Sequence, residues 1–160
     1  MKPYKEFQFG WWIFIVLIPI QVYFAYAYFN EIADNSLGMD KLLILNGTFF
    51  LIYLLFYGMT IKVDSERVKI SFGLGLIRKT IMMDEINTIE IITNPWYYGW
   101  GIRLIPNGWL YNISGSNGIE IKLNDRKRIV RIGTKDSVQL KNEIRKRKHI
   151  TNGSSNGVIA

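Results

Sequence analysis

The chain has 160 residues, 49% of them hydrophobic and 14% aromatic, with a formal net charge of +7 and no cysteine. That length leaves room for one domain of ordinary size, and the lack of thiols excludes disulfides, Cys-ligated zinc and iron–sulfur clusters. The apolar residues are concentrated, because residues 7–30 and 42–61 contain no Asp, Glu, Lys or Arg, a composition expected of membrane spans.

The first run is 24 uncharged residues. At about 1.5 Å per helical residue it reaches roughly 36 Å, enough to cross a hydrocarbon core of about 30 Å with some tilt. Trp11 and Trp12 stand at one end and Tyr26, Tyr28 and Phe29 at the other, where amphipathic rings favour the headgroup regions. Pro19 and Gln21 fall near the middle, and a neighbouring helix must satisfy the freed carbonyl and the side-chain amide unless Gln21 lines a polar pathway. The second run carries Asn46 and Gly47 one turn in. Together they predict a hairpin of two transmembrane helices over about residues 9–29 and 42–59, within a segment 1–59, with Gly47 at the contact and an Asn46 to Gln21 hydrogen bond.

Orientation follows from the basic residues. The connector 31–41 has only Lys41, against Lys2 and Lys5 before the first helix and seventeen basic residues after the second. This bias predicts a multi-pass protein of the cell membrane with both termini cytoplasmic. Lys2, Lys5, the apolar stretch 11–20 and Ala25-Tyr26-Ala27 also resemble a cleavable signal peptide, but the uncharged run exceeds a signal core and aromatics crowd the cleavage position.

From Thr60 the pattern alternates. Strands are predicted at residues 61–64, 68–72, 76–81, 86–92, 101–105, 109–114, 119–123 and 129–132, with turns at Asp64-Ser65-Glu66-Arg67, Gly73-Leu74-Gly75, Pro106-Asn107-Gly108 and residues 124–127. Thr134, or Asp136 with Gln139 three residues later, is a plausible helix N-cap, and Leu140 with Ile144 forms an i, i+4 apolar pair. The expectation is a cytoplasmic domain over 60–149, closed by a C-terminal helix, with 150–160 a disordered tail rich in Asn, Gly and Ser.

Val63-Asp64, Val68-Lys69-Ile70, Asp84-Glu85-Ile86, the stretch Tyr98-Gly99-Trp100-Gly101-Ile102-Arg103, Gly108-Trp109-Leu110-Tyr111 and Gly118-Ile119-Glu120-Ile121 follow a two-helix hairpin in this order. The pattern over about residues 60–148 resembles bacterial membrane proteins carrying a PH-like (pleckstrin-homology-like) domain. That resemblance implies an all-β barrel or sandwich, strongly bent, with one open end capped by the helix. It implies no ligand.

Two constellations stand out as contact sites. Pro95-Trp96-Tyr97-Tyr98-Gly99-Trp100-Gly101 places four aromatic rings in one loop, with Arg103 two residues on. Exposed rings at that density suit a bilayer interface or a docked protein, and packed rings would fill the barrel mouth or the base of the membrane helices. The second is basic: Arg126, Lys127, Arg128 and Arg131, then Lys141, Arg145, Lys146, Arg147 and Lys148. Residues 60–160 hold 17 basic against nine acidic residues, a net of +8. An anionic leaflet attracts such a set at about 1 kcal/mol per well-placed cation, while the same residues also suit a helix C-terminus and the positive-inside bias.

Chemistry finds little. His149 is alone, Asp84 and Glu85 are adjacent on a predicted strand start and point to opposite faces, and Gly73-Leu74-Gly75 lacks the rest of a phosphate loop. No catalytic, cofactor or metal site is assigned, and no nucleic-acid motif accompanies the positive charge. The expectation is a non-enzymatic membrane-anchored module that engages anionic headgroups of the lipid bilayer or a membrane protein partner, a second copy included. The alternative is an accessory subunit of a larger transporter or secretion-type complex.

Overall fold

The computed structural model describes residues 2–30, 38–124 and 128–155, with side chains up to His149. Arg126 and Lys127 of the basic group lie outside the described residues, as does the end of the expected tail from residue 156.

Two long apolar helices, α1 (Trp11–Phe29) and α2 (Met39–Phe56), form the predicted hairpin. Gln21 Nε2 donates to Asn46 Oδ1 at 3.3 Å, and the Tyr53 hydroxyl donates to Gln21 Oε1 at 2.9 Å. The mid-helix amide is thus satisfied inside the pair, as the apolar surroundings demand. Phe14 stacks on Tyr53 at 4.9 Å beside it. Gly47 is not at the contact: a Cβ there would meet nothing within 4 Å.

The β-domain contains nine strands among the described residues, one more than predicted. The additional strand, β1 (Tyr4–Phe9), comes before α1 and includes the first residues of the uncharged run. It pairs antiparallel with β2 (Gly58–Val63) from Tyr4↔Val63 to Phe9↔Gly58. Gly58 and Met59, expected to end the second span, therefore open a strand. Alternation in β1 is inverted relative to its polarity, with Glu6 and Gln8 turned inward and Lys5, Phe7 and Phe9 exposed. That inversion hid the strand.

Sheet A continues through β3 (Arg67–Phe72) and β4 (Ile77–Met82) in the order β1-β2-β3-β4. Sheet B contains β5 (Ile86–Thr93), β6 (Gly101–Ile105), β7 (Gly108–Asn112), β8 (Asn117–Leu123) and β9 (Ile129–Gly133), ordered β5-β8-β9-β7-β6. All pairs are antiparallel except β7 with β9. The predicted β6–β7 hairpin is present, with Asn107 at φ 64° in its two-residue turn, a left-handed conformation that Asn tolerates better than most residues.

Alternating residues of both sheets, among them Ile61, Ile70, Phe72, Ile119, Ile121 and Ile132, form one core. Helix α3 (Ser137–Ser155) closes it with Leu140 and Ile144, and Asp136 Oδ1 caps the helix by accepting from Gln139 N at 2.8 Å. The helix continues through residues 150–155, so the first part of the expected tail is helical.

Both ends of the hairpin rest on the β-domain. Gly10 N donates to Tyr57 O at 2.8 Å, and Leu74 N donates to Leu54 O at 3.3 Å. Gly73, at φ +51°, lies so close to α2 that a Cβ would stand 2.0 Å from Leu54 O, which leaves glycine as the residue that fits. The strand directions define two ends. The helix-proximal end holds the 73–76 turn and the 94–100 loop, and the helix-distal end holds the starts of β5 and β9.

Candidate functional site

The 94–100 loop divides the four predicted rings between two roles. Trp96 and Tyr97 stand on a short 3₁₀ turn (Trp96–Tyr98) and are 89% and 67% exposed. Trp100 turns back, stacking on Trp12 at 5.7 Å between ring centroids and touching Trp11 at 6.0 Å. Tyr98 lies beneath the Arg131 guanidinium at 5.9 Å, and Arg131 is held by Glu120 at 2.8 Å on the outer face of sheet B. Two packed rings thereby position two open ones beside the entry of α1. Gly99 and Gly101, at φ +62° and +98°, permit the path. Arg103 is exposed on β6, and its Nε donates to Trp100 O at 3.4 Å.

Further apolar side chains surround the same end. Leu74 and Leu76, 63% and 69% exposed, project from the turn that contacts α2. Phe9 stacks on Phe14 at 5.3 Å, and Phe7 lies 6.3 Å from Tyr57. These residues were not singled out from sequence, since Gly73-Leu74-Gly75 reads as a plain turn and Phe7 and Phe9 merge with the helix run. The available signal was two leucines in a turn, where polar residues are usual. The result is a collar of exposed rings and aliphatic chains around the helix bases.

The basic group lies elsewhere. Arg145 and Lys146 are exposed, whereas Arg147 is 5% exposed, pairs with the Glu143 carboxylate and donates to Lys2 O at 3.0 Å. Lys148 Nζ donates to Ile86 O and, at 3.3 Å, to Asn87 O. Ile86 opens β5 and Thr93 ends it beside the aromatic loop; the seven steps between them, at about 3.4 Å each, separate the two by roughly 24 Å. The structure therefore does not bring Arg145, Lys146, Arg147 and Lys148 together with Trp96 and Tyr97. Arg147 serves packing: it ties α3 to the residues just before β1.

Electrostatic perturbations are structural in kind. Burial, then the hydrogen bond to the Glu6 carboxylate, raises the Tyr4 hydroxyl far above its ordinary range, and burial raises Tyr111. The Lys122 ammonium, 2.7 Å away, holds Glu90 below its usual value, and Glu90 raises Lys122 in return. Asp84 and Glu85 sit in the β4–β5 turn, not on a strand start, and the Glu85 carboxylate accepts from Met82 N at 3.2 Å. Among the described residues no three His, Cys, Asp or Glu side chains gather as metal ligands would. No protein-family profile, curated protein or solved structure matches this chain.

Proposed function

We propose that the chain is a membrane-anchored, PH-like module without enzymatic activity, which rests the helix-proximal end of its β-domain on the cytoplasmic surface of the bilayer. The observation that carries this reading is the stacking of Trp100 on Trp12, which sets exposed Trp96 and Tyr97 at the level where α1 begins. If the two apolar helices span, that level is the headgroup region, where Trp and Tyr gain from an apolar body and a polar tip. Leu74 and Leu76 extend the contact around α2. The scarcity of basic residues in the connector supports a cytoplasmic β-domain. The antiparallel sheet β1-β2-β3-β4 and the closing helix support the PH-like reading, from which the parallel β7–β9 pair departs. The pairing of β1 with β2 supports a retained N-terminal segment, since cleavage after α1 would remove that strand.

The basic end contributes little to leaflet attraction in this arrangement. A separation of roughly 24 Å exceeds two Debye lengths of about 8–10 Å. Exposed Arg145 and Lys146 stand on α3 next to Lys148, which reaches the helix-distal start of β5, and this favours a second reading for that end: contact with an acidic protein partner, as an accessory subunit would make.

Because the chain has no cysteine, a single introduced thiol can be labelled uniquely. The test compares Trp96→Cys and Arg145→Cys, each carrying an environment-sensitive fluorophore, in the full chain reconstituted in liposomes. The label at 96 should be quenched by headgroup spin-labelled lipid and shielded from iodide, with the reverse at 145. Equal iodide access at both positions sinks the surface contact.

A further inference from the structure

An apolar groove runs between the base of the hairpin and β6, with a cavity of about 290 Å³. Trp12, Val16, Ile52 and Phe56 form its helical walls, Trp100 lies across one end, and Arg103 is the charged residue in its lining. We propose that this groove binds one anionic glycerophospholipid, its phosphate on Arg103 and one acyl chain along Val16 and Ile52. The inference rests on the membrane reading above and adds a specific ligand site to it.

Three features select that occupant. The volume lies near the lower end of the range of about 300–1,000 Å³ for small-molecule pockets. It admits the first part of a chain, while the remainder follows the exposed outer surfaces of the helices. Second, the polar groups of the lining are donors. Beside the Arg103 guanidinium stands Trp12, whose Nε1–H is buried with no hydrogen-bond partner, and both line the groove. Third, no carboxylate lines it, which leaves an ammonium headgroup without an ion-pair partner and next to the like charge of Arg103. An acceptor-only anion on an apolar body satisfies all three, and a guanidinium is suited to bidentate contact with phosphate. Sequence reasoning offered Arg103 as part of an aromatic contact; the groove exists because α1, α2 and β6 meet there.

The test uses the full chain purified in mild detergent, with native mass spectrometry and added phosphatidylglycerol, phosphatidylcholine, diacylglycerol or inorganic phosphate. One phosphatidylglycerol should be retained in preference to the other three. Arg103→Gln should weaken that retention roughly tenfold, as expected for loss of a charge-assisted contact. Val16→Trp, made on the exposed helix side of the groove, should block it, while Val22→Trp, exposed and outside the lining, should leave it intact. Equal retention in Arg103→Gln and Val16→Trp, or equal binding of phosphatidylcholine, overturns the proposal. Alkaline carbonate extraction of native membranes separates the two levels. Release of the chain sinks the membrane reading and the groove together, whereas a carbonate-resistant chain whose groove variants bind as the parent does sinks the groove alone.

Discussion

Gln8 offers the most direct trial of the N-terminal strand. In β1 its side chain is fully buried, with Nε2 donating to Gly133 O at 2.9 Å and Oε1 accepting from Ser114 Oγ at 3.3 Å. Gln8→Ala removes both bonds, each contributing about 1 kcal/mol, and leaves the Gly133 carbonyl unpaired in the interior at a cost of about 1–3 kcal/mol. A destabilisation of roughly 3–5 kcal/mol follows. For a β-domain near 100 residues each kcal/mol lowers the melting midpoint by about 4 °C or more, so the fall should reach about 12 °C. Circular dichroism of the β-signal during heating in mild detergent measures it, with exposed Lys5→Ala as a control that should leave the midpoint unchanged. Were Gln8 instead part of an apolar helix facing lipid, removing its amide would be neutral or favourable. A Gln8→Ala midpoint within about 2 °C of the parent therefore refutes the strand.

Arg131→Met leaves the Glu120 carboxylate without its cation in a site where the two side chains are only 22% and 11% exposed. The expected loss is about 2–3 kcal/mol, below the value of a fully buried pair because some solvent reaches it. The double variant with Glu120→Met should recover at least about 1 kcal/mol of that in chemical denaturation, and a strictly additive cycle would contradict the coupling. Tyr4 gives the alkaline limb of stability. Its raised pKa means the unfolded chain loses the proton near pH 10 while the folded chain keeps it, so stability is full below that pH and declines as pH rises beyond it. Melting midpoints at pH 9 and 11 should fall less in Tyr4→Phe than in the parent; an identical fall discards burial of Tyr4 as the cause. Gly73→Ala combines a positive φ with a Cβ 2.0 Å from Leu54 O. It should detach the 73–76 turn from α2 and expose Arg78 and Lys79 to trypsin, and unchanged proteolysis would show that the turn does not depend on that approach.

Much of the architecture was legible in local pattern. Two uncharged runs set the helices, and alternation placed β3, β5, β6 and β9 within a residue or two of where they stand. Asp136 with Gln139 was one of the two caps the pattern offered for α3, and the Gln21 to Asn46 bond followed from the need to satisfy an amide among apolar side chains. These are properties of residues close in sequence, or of one helix facing its hairpin partner. Tertiary structure decided what depends on distant partners. Glu6 and Gln8 point inward because Thr134, Lys135 and Gly133 wait across β1, so Glu6 accepts from Thr134 Oγ1 at 2.6 Å and from Lys135 N at 2.8 Å; local polarity predicted no strand there. The rings at 96–100 were visible as a group, but only packing on Trp12 and Arg131 determined which are open and which are held. Likewise a charge run from Arg145 to Lys148 is continuous in sequence, yet helical geometry turns Arg147 inward toward Lys2 and leaves Arg145 and Lys146 at the far end from the aromatic collar. Spacing along the chain reports which face a residue takes, and the partner on that face comes from strands and helices far away in sequence.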